Sequence, residues 1–229
     1  MKTRILPVVL LATLLSACGE EKAAENQTEV PADTAVTAPA LPADAPAVGT
    51  PIANVTKTAK DDQPKQDGEY TKLDWEDLEL PGQGLEDIIK KYQPQIDAIP
   101  EGDPAEDAVM DRMQAELNAA PVNDALDGKK IKIPGFISPL EVDEAKGMVK
   151  EFLLVPYFGA CIHVPPPPLN QTLLVKPLPD KSIGMERMYE PVWVSGTLIA
   201  KQAHTDLAEA GYQLRDAQVE IYQDAGETP

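Results

Sequence analysis

Lys130-Ile131-Lys132-Ile133 alternates as a half-buried strand should, then runs into Pro134-Gly135 before Phe136-Ile137 resume the pattern. Successive strand side chains point to opposite faces, so alternation marks one buried face. Proline donates no ladder hydrogen bond, and a glycine within a strand marks a bulge or sharp bend. The chain therefore needs a fold in which a strand turns a corner. Asp127-Gly128 is a turn just before it, and further strands are expected at 150–156, 158–164, 171–176, 191–199 and 217–222. A short helix is expected over 205–210, ending at Gly211. Trp193, in PVWVSGTL, is read as core. Several short, bent strands with one small helix predict a small barrel; an OB-like Greek-key barrel fits best and a flat sandwich is the alternative. There is no internal repeat.

The residues before this region follow another period. Leu73, Trp75, Leu78 and Leu80 end at a Pro81-Gly82 turn, and Leu85, Ile88, Ile89 and Tyr92 are spaced for a helix that Pro94 should end or kink. Asp103-Pro104-Ala105-Glu106 starts a second helix, with a side-chain acceptor, an early proline and a following glutamate. Val109, Met113 and Leu117 share its face, and Pro121 stops it. The fold class is thus mainly β with a helical N-terminal part, α+β in composition. Residues 69–126 form the helical preface and 127–229 the barrel.

Residues 19–68 are rich in Ala, Pro, Thr, Glu and Asp, with almost no large apolar side chains. They are expected to be a disordered stalk, spanning roughly 40 Å as a coil. Ahead of them, Lys2 and Arg4 precede the apolar run 5–15. Eleven residues fall short of the roughly 20 that span a bilayer, and the run fits a cleaved secretion signal, 1–17. Leu15-Ser16-Ala17-Cys18 resembles the lipobox of bacterial lipoproteins. That resemblance implies lipidation of Cys18, a membrane anchor for 18–68, and, with Gly19 rather than Asp next, the periplasmic face of the outer membrane.

A formal charge of −18 argues against a nucleic-acid partner and against an anionic lipid surface. The chain has two cysteines. Lipidation of Cys18 would leave Cys161 as a lone thiol in an oxidising compartment, with no intramolecular disulfide available.

The most distinctive stretch is Phe152–Gln171, FLLVPYFGACIHVPPPPLNQ. In an extended chain Cys161 and His163 would point to one face with Cα atoms about 6.6 Å apart. Both suit Zn²⁺ or copper, with His204 or an acid such as Asp206 as a further ligand. The alternatives are a buried Cys161 with a hydrogen-bonded His163, or a reactive thiol. Pro165, Pro166, Pro167 and Pro168 favour polyproline II, either as a stiff crossover or as a docking ridge. Tyr157, Phe158, Asn170 and Gln171 are the partner-binding candidates beside them. No catalytic set is identifiable.

DGKKIKIPGFISPLE, FLLVPYFGACIHVPPPPLNQ, PVWVSGTL and GYQL together resemble a bacterial family of lipoproteins and periplasmic proteins classed only as a domain of unknown function. The resemblance covers roughly Leu73 to Tyr222. It implies an OB-like domain, encoded in some members beside an ABC transporter resembling the macrolide-export type and a His-rich periplasmic metal-binding protein, in zinc-responsive operons. The expected function is an anchored accessory of zinc transport or homeostasis, with zinc the one cofactor expected. The alternatives are a metal-free protein-protein interaction module and, last, a thiol-dependent enzyme.

Overall fold

The computed structural model describes residues 41–55, 66–164 and 166–223. The leader, Cys18, most of the stalk and Pro165 lie outside the described residues. In chain order the elements are α1 (Ile52–Val55), β1 (Gln66–Asp67), β2 (Tyr70–Lys72), α2 (Leu85–Asp97), α3 (Ala105–Asn118), β3 (Lys130–Asp143), β4 (Met148–Val155), β5 (Leu173–Pro177), β6 (Val192–Ile199), β7 (Ala203–His204), β8 (Glu209–Ala210) and β9 (Tyr212–Ile221). No helix among the described residues is long and apolar enough to cross a membrane.

Five strands close a barrel in the order β3-β4-β5-β9-β6 and back to β3. The β5–β9 pair is parallel and the other four are antiparallel. Closure depends on β3 serving two neighbours. Lys130–Gly135 pairs with β6, and Phe136–Asp143 pairs with β4. The handover falls at Pro134-Gly135. A Cβ on Gly135 would lie 2.8 Å from Leu154 Cδ1 and 2.9 Å from the Val155 carbonyl oxygen, so only glycine lets β4 come this close. A second close approach is Gly196, at a register shift of β6 against β9, where a Cβ would meet the Arg215 carbonyl oxygen at 2.7 Å.

Alternation fills the barrel. Ile131, Ile133, Leu173, Val175, Val192, Val194 and Leu198 are completely buried, while the residues between them are more exposed or small. Phe152, Leu153, Leu154 and Val155 are all buried, so β4 is covered on both faces, as an unbroken apolar run requires.

The preface is attached to the barrel at several places, beginning with β2, which pairs with β3. Leu73, Trp75 and Leu78 join the barrel core, and Trp75 donates its Nε1–H to the Pro134 carbonyl at 2.8 Å. The buried Tyr212 hydroxyl donates to the Leu78 carbonyl at 2.7 Å and accepts the Asn123 amide at 2.6 Å, linking both ends of the preface to β9. The helices α2 and α3 have a small core of their own: Ile88, Tyr92, Val109 and Leu117. The second helix starts as expected, with the Asp103 carboxylate accepting the Ala105 amide at 2.9 Å. The first continues through Pro94 to Asp97. Pro94 sits in the last turn, where its missing N–H leaves the Lys90 carbonyl without its i+4 donor, and the helix closes three residues later.

Four expectations change. The segment 158–164 is a turn, not a strand, and 205–210 is the β7–β8 hairpin, not a helix. The stalk expected to run to residue 68 is ordered over 41–55 and again from β1: Ile52 is buried in the barrel core, with Leu41, Ala45 and Val55 packed on it. Trp193 is not core. It lies partly exposed on β6, stacked on Tyr222 with ring centroids 5.5 Å apart, and the Lys72 and Lys132 ammoniums sit 5.4 and 5.7 Å from its ring.

Gly135→Ala is expected to destabilise the fold by about 2–3 kcal/mol, because the new methyl meets backbone as well as a side chain. Urea unfolding measures it; a cost below the error of the method would show that β4 yields and that the close approach is not required.

Candidate functional site

The signature segment splits into two structures with different tasks. The first is the turn after β4. Gly159 and Cys161 both take the left-handed backbone region, at φ 79° and 67°. The Gly159 carbonyl accepts amides from Ile162, His163 and Val164 at 3.3, 2.8 and 3.2 Å, and the Cys161 amide donates to the Val164 carbonyl at 3.0 Å. The buried Ser138 hydroxyl donates to the Ala160 carbonyl at 2.7 Å, and Phe158 packs edge-on against Phe136. A non-glycine residue at positive φ needs such support from its surroundings.

This turn undoes the geometry expected for Cys161 and His163. Cys161 is half-buried and packs on the barrel core, whereas His163 is exposed. Burial pushes the Cys161 thiol up to about 12, and burial with the neighbouring thiol pushes Tyr157 up to about 12. The thiolate, which is both the nucleophile and the metal ligand, is thus scarce at neutral pH. His204 stands elsewhere, on β7. Among the described residues no three His, Cys, Asp or Glu side chains are gathered to hold a metal ion.

The second structure is the crossover to β5. Pro166 is partly exposed, but Pro167 and Pro168 are buried, and Leu169–Gln171 forms one turn of 3₁₀ helix. Phe158, Asn170 and Gln171, expected as partner contacts, are buried. Asn170 donates its amide to the Gln83 carbonyl at 3.3 Å, and Gln171 donates to the Glu79 carboxylate. Glu79 also accepts the Leu85 amide at 3.1 Å, at the start of α2. Asn170 and Gln171 thus fasten the 79–85 loop to the barrel. Asn170 Oδ1 has no hydrogen-bond partner among the described residues. Burial raises the Glu79 carboxyl above its ordinary 4.5, with Glu76 and Asp87 adding to it, against the lowering by its two donors.

What faces outward is a cleft of about 290 Å³ between this crossover and the β7–β8 hairpin. Pro166, Pro167 and Leu169 line one side, His204 to Glu209 the other, with Asn118 at the end of α3. The hairpin is set by Thr205, whose hydroxyl accepts the Leu207 and Ala208 amides at 3.3 and 3.1 Å and donates to the Ala208 carbonyl. His204 Nδ1 lies 2.5 Å from Glu209 Oε1, which raises the imidazole's affinity for a proton. Gly211 ends the hairpin because its amide binds the Leu169 carbonyl at 2.8 Å and a Cβ there would be 2.5 Å from that oxygen.

Sequence reasoning missed Ile52, Glu79, Ser138, Asn118 and Glu209. Only Ile52 carried a signal: Val48, Ile52 and Val55 form an aliphatic cluster inside an otherwise polar stretch. The others act through long-range pairing that no local pattern records.

A family model described as "Protein of unknown function (DUF3299)" matches residues 59–221. A crystal structure of a DUF3299 family protein from Pseudomonas aeruginosa PAO1 is 38% identical, covering 68% of this chain and 99% of that one, with a TM-score of 0.49. No curated protein matches the chain.

Two outcomes are expected from this geometry. In a Cys18→Ser chain, Cys161 reacts with a disulfide reagent at pH 8 at least about tenfold more slowly than free cysteine; equal rates would place the thiol in solvent. Glu79, with its folded pKa above its unfolded one, holds a proton more tightly when folded. Its contribution is therefore largest below the ordinary 4.5 and is lost as pH rises through the folded value. Glu79→Gln is expected to flatten that fall in Tm; an unchanged Tm-pH profile would remove Glu79 as its source.

Proposed function

We propose a role from the premise that the chain belongs to the DUF3299 family of proteins of unknown function: it is a lipid-anchored binding module of the bacterial envelope, not a catalyst. The lipobox-like Cys18 supports the anchor. The ring order, with one parallel pair between its third and fifth strands, supports an OB-like Greek-key barrel as the scaffold.

The observation that carries the binding reading is the cleft between Pro166-Pro167 and the β7–β8 hairpin. One wall is a stiff proline step that donates no backbone hydrogen bonds. The other carries Asp206 and Glu209 on a chain whose formal charge is −18. Such a cleft suits an extended segment of another envelope protein with a basic side chain: the prolines offer an apolar track and the carboxylates fix the charge. A subunit of an ABC transport system is one such partner. A zinc role would draw ligands from the partner, because no three potential ligands gather among the described residues.

The test is photo-crosslinking in cells from a probe at Leu207. A discrete envelope partner is expected, lost in Glu209→Lys and retained in Lys146→Glu on the remote β3–β4 turn. A crosslink pattern indifferent to Glu209→Lys would overturn the cleft as the docking site. A chain that stays with membranes after Cys18→Ser would overturn the anchor.

A further inference from the structure

The segment ahead of β1 makes a contact that its composition does not announce. Residues 48–52 run antiparallel to Pro156–Phe158, the continuation of β4 beyond its last barrel pair, Phe136 with Val155. The Gly49 amide donates to the Phe158 carbonyl at 2.8 Å, the Phe158 amide to the Thr50 carbonyl at 2.9 Å, and the Ile52 amide to the Pro156 carbonyl at 2.7 Å. Pro51 and Tyr157 face each other across this short ladder. Ile52 alone among residues 41–55 is buried, and Val48 lies over Gly159, where an added Cβ would meet it at 3.1 Å.

Both the strength and the weakness of this contact are visible. Three backbone hydrogen bonds and the Ile52 socket hold it, with Leu41, Ala45 and Val55 partly buried against the same core. Against them stands the ordering entropy of the whole segment. Pro42, Pro46 and Pro51 have no N–H, so the ladder cannot lengthen. The edge it covers belongs to the signature turn, inside the region matched by the family, whereas the segment itself precedes that region.

We propose that residues 48–52 are a releasable clip, and that Pro156–Phe158 with the Ile52 socket is a strand-addition edge for an extended, uncharged segment bearing a branched aliphatic residue. This chain fills the edge with its own N-terminal segment. Docked, the segment joins the barrel at Leu41. Released together with residues 41–47, it adds residues 41–65 to the tether, about 80 Å of reach at full extension. That gain in reach rests on the anchor proposed above; the docking does not.

Hydrogen exchange on the full chain tests the clip. The Gly49, Ile52 and Phe158 amides are expected to exchange together, at least about 100-fold faster than the β4 amides of Leu153 and Leu154. In Ile52→Asp the three lose protection while β4 keeps it. A labelled peptide of residues 46–55 then binds Ile52→Asp at least about tenfold more tightly than it binds wild type, whose edge is filled. Wild-type protection at Gly49 and Ile52 equal to that of β4 overturns the clip, whether or not the variant folds. A folded Ile52→Asp chain that does not bind the peptide overturns the docking edge. Clip amides protected only at dimer-forming concentration overturn docking in cis. Cys18→Ser leaves the exchange pattern unchanged, so failure of the anchor and failure of the clip read out separately.

Discussion

The corner at Pro134-Gly135 is the constraint from which the architecture follows. A five-stranded sheet closes only if its first strand can pair with β6 along one half and β4 along the other. The missing side chain at Gly135 brings Leu154 and Val155 of β4 within contact of the β3 backbone. Trp75 caps the neighbouring Pro134 carbonyl with its indole N–H. The preface is thereby tied to the same corner: Trp75 joins the barrel core, Leu78 follows it, and the Leu78 carbonyl takes the buried Tyr212 hydroxyl. Closure of the barrel and attachment of the preface thus share one corner.

The same logic explains why the most distinctive stretch of sequence is mostly internal. Asn170, Gln171 and Thr172 are buried polar residues, and a buried polar group left unpaired costs about 1–3 kcal/mol. Each therefore demands a particular partner: the Gln83 carbonyl, the Glu79 carboxylate and the Pro168 carbonyl. Residue identities so tightly specified look like a functional signature when read along the chain. Here most of that specification is consumed in fastening the crossover and the 79–85 loop to the barrel. What is left for a partner is the wall of Pro166 and Pro167 and the hairpin opposite, which the sequence shows only as an unremarkable run after β6.

The sequence disclosed the fold where side-chain period and backbone conformation agree. β3, β4, β5 and β6 were readable because alternating or unbroken apolar runs leave few other arrangements, and the start of α3 because Asp103 and Pro104 each have a local reason to be there. Legibility failed where tertiary contacts overrule the local pattern. FGACIHV has strand composition, yet Cys161 adopts a left-handed conformation held by the Ser138 and Gly159 hydrogen bonds. TDLAEAG at 205–211 has helical composition, yet Thr205 captures two amides and turns the chain back. In the proline-rich segment, averaging over residues 19–68 concealed one Ile with a socket waiting for it. Of the candidate site, the prolines, His204 and Asp206 are singled out by the sequence; that they line one cleft with Glu209 is not legible there.

At the proposed envelope location a free thiolate at Cys161 would invite oxidation and mixed disulfides. The signature turn answers this with geometry. It carries Cys161 onto the barrel core, where burial holds the thiol protonated, while His163, two residues on, faces solvent. The separation that protects the sulfur also removes the reason for pairing these residues as ligands. A metal would have to recover the cost of deprotonating a half-buried thiol. The Cys-x-His spacing thus falls in a turn, left-handed at 161, that half-buries its first residue and exposes its third.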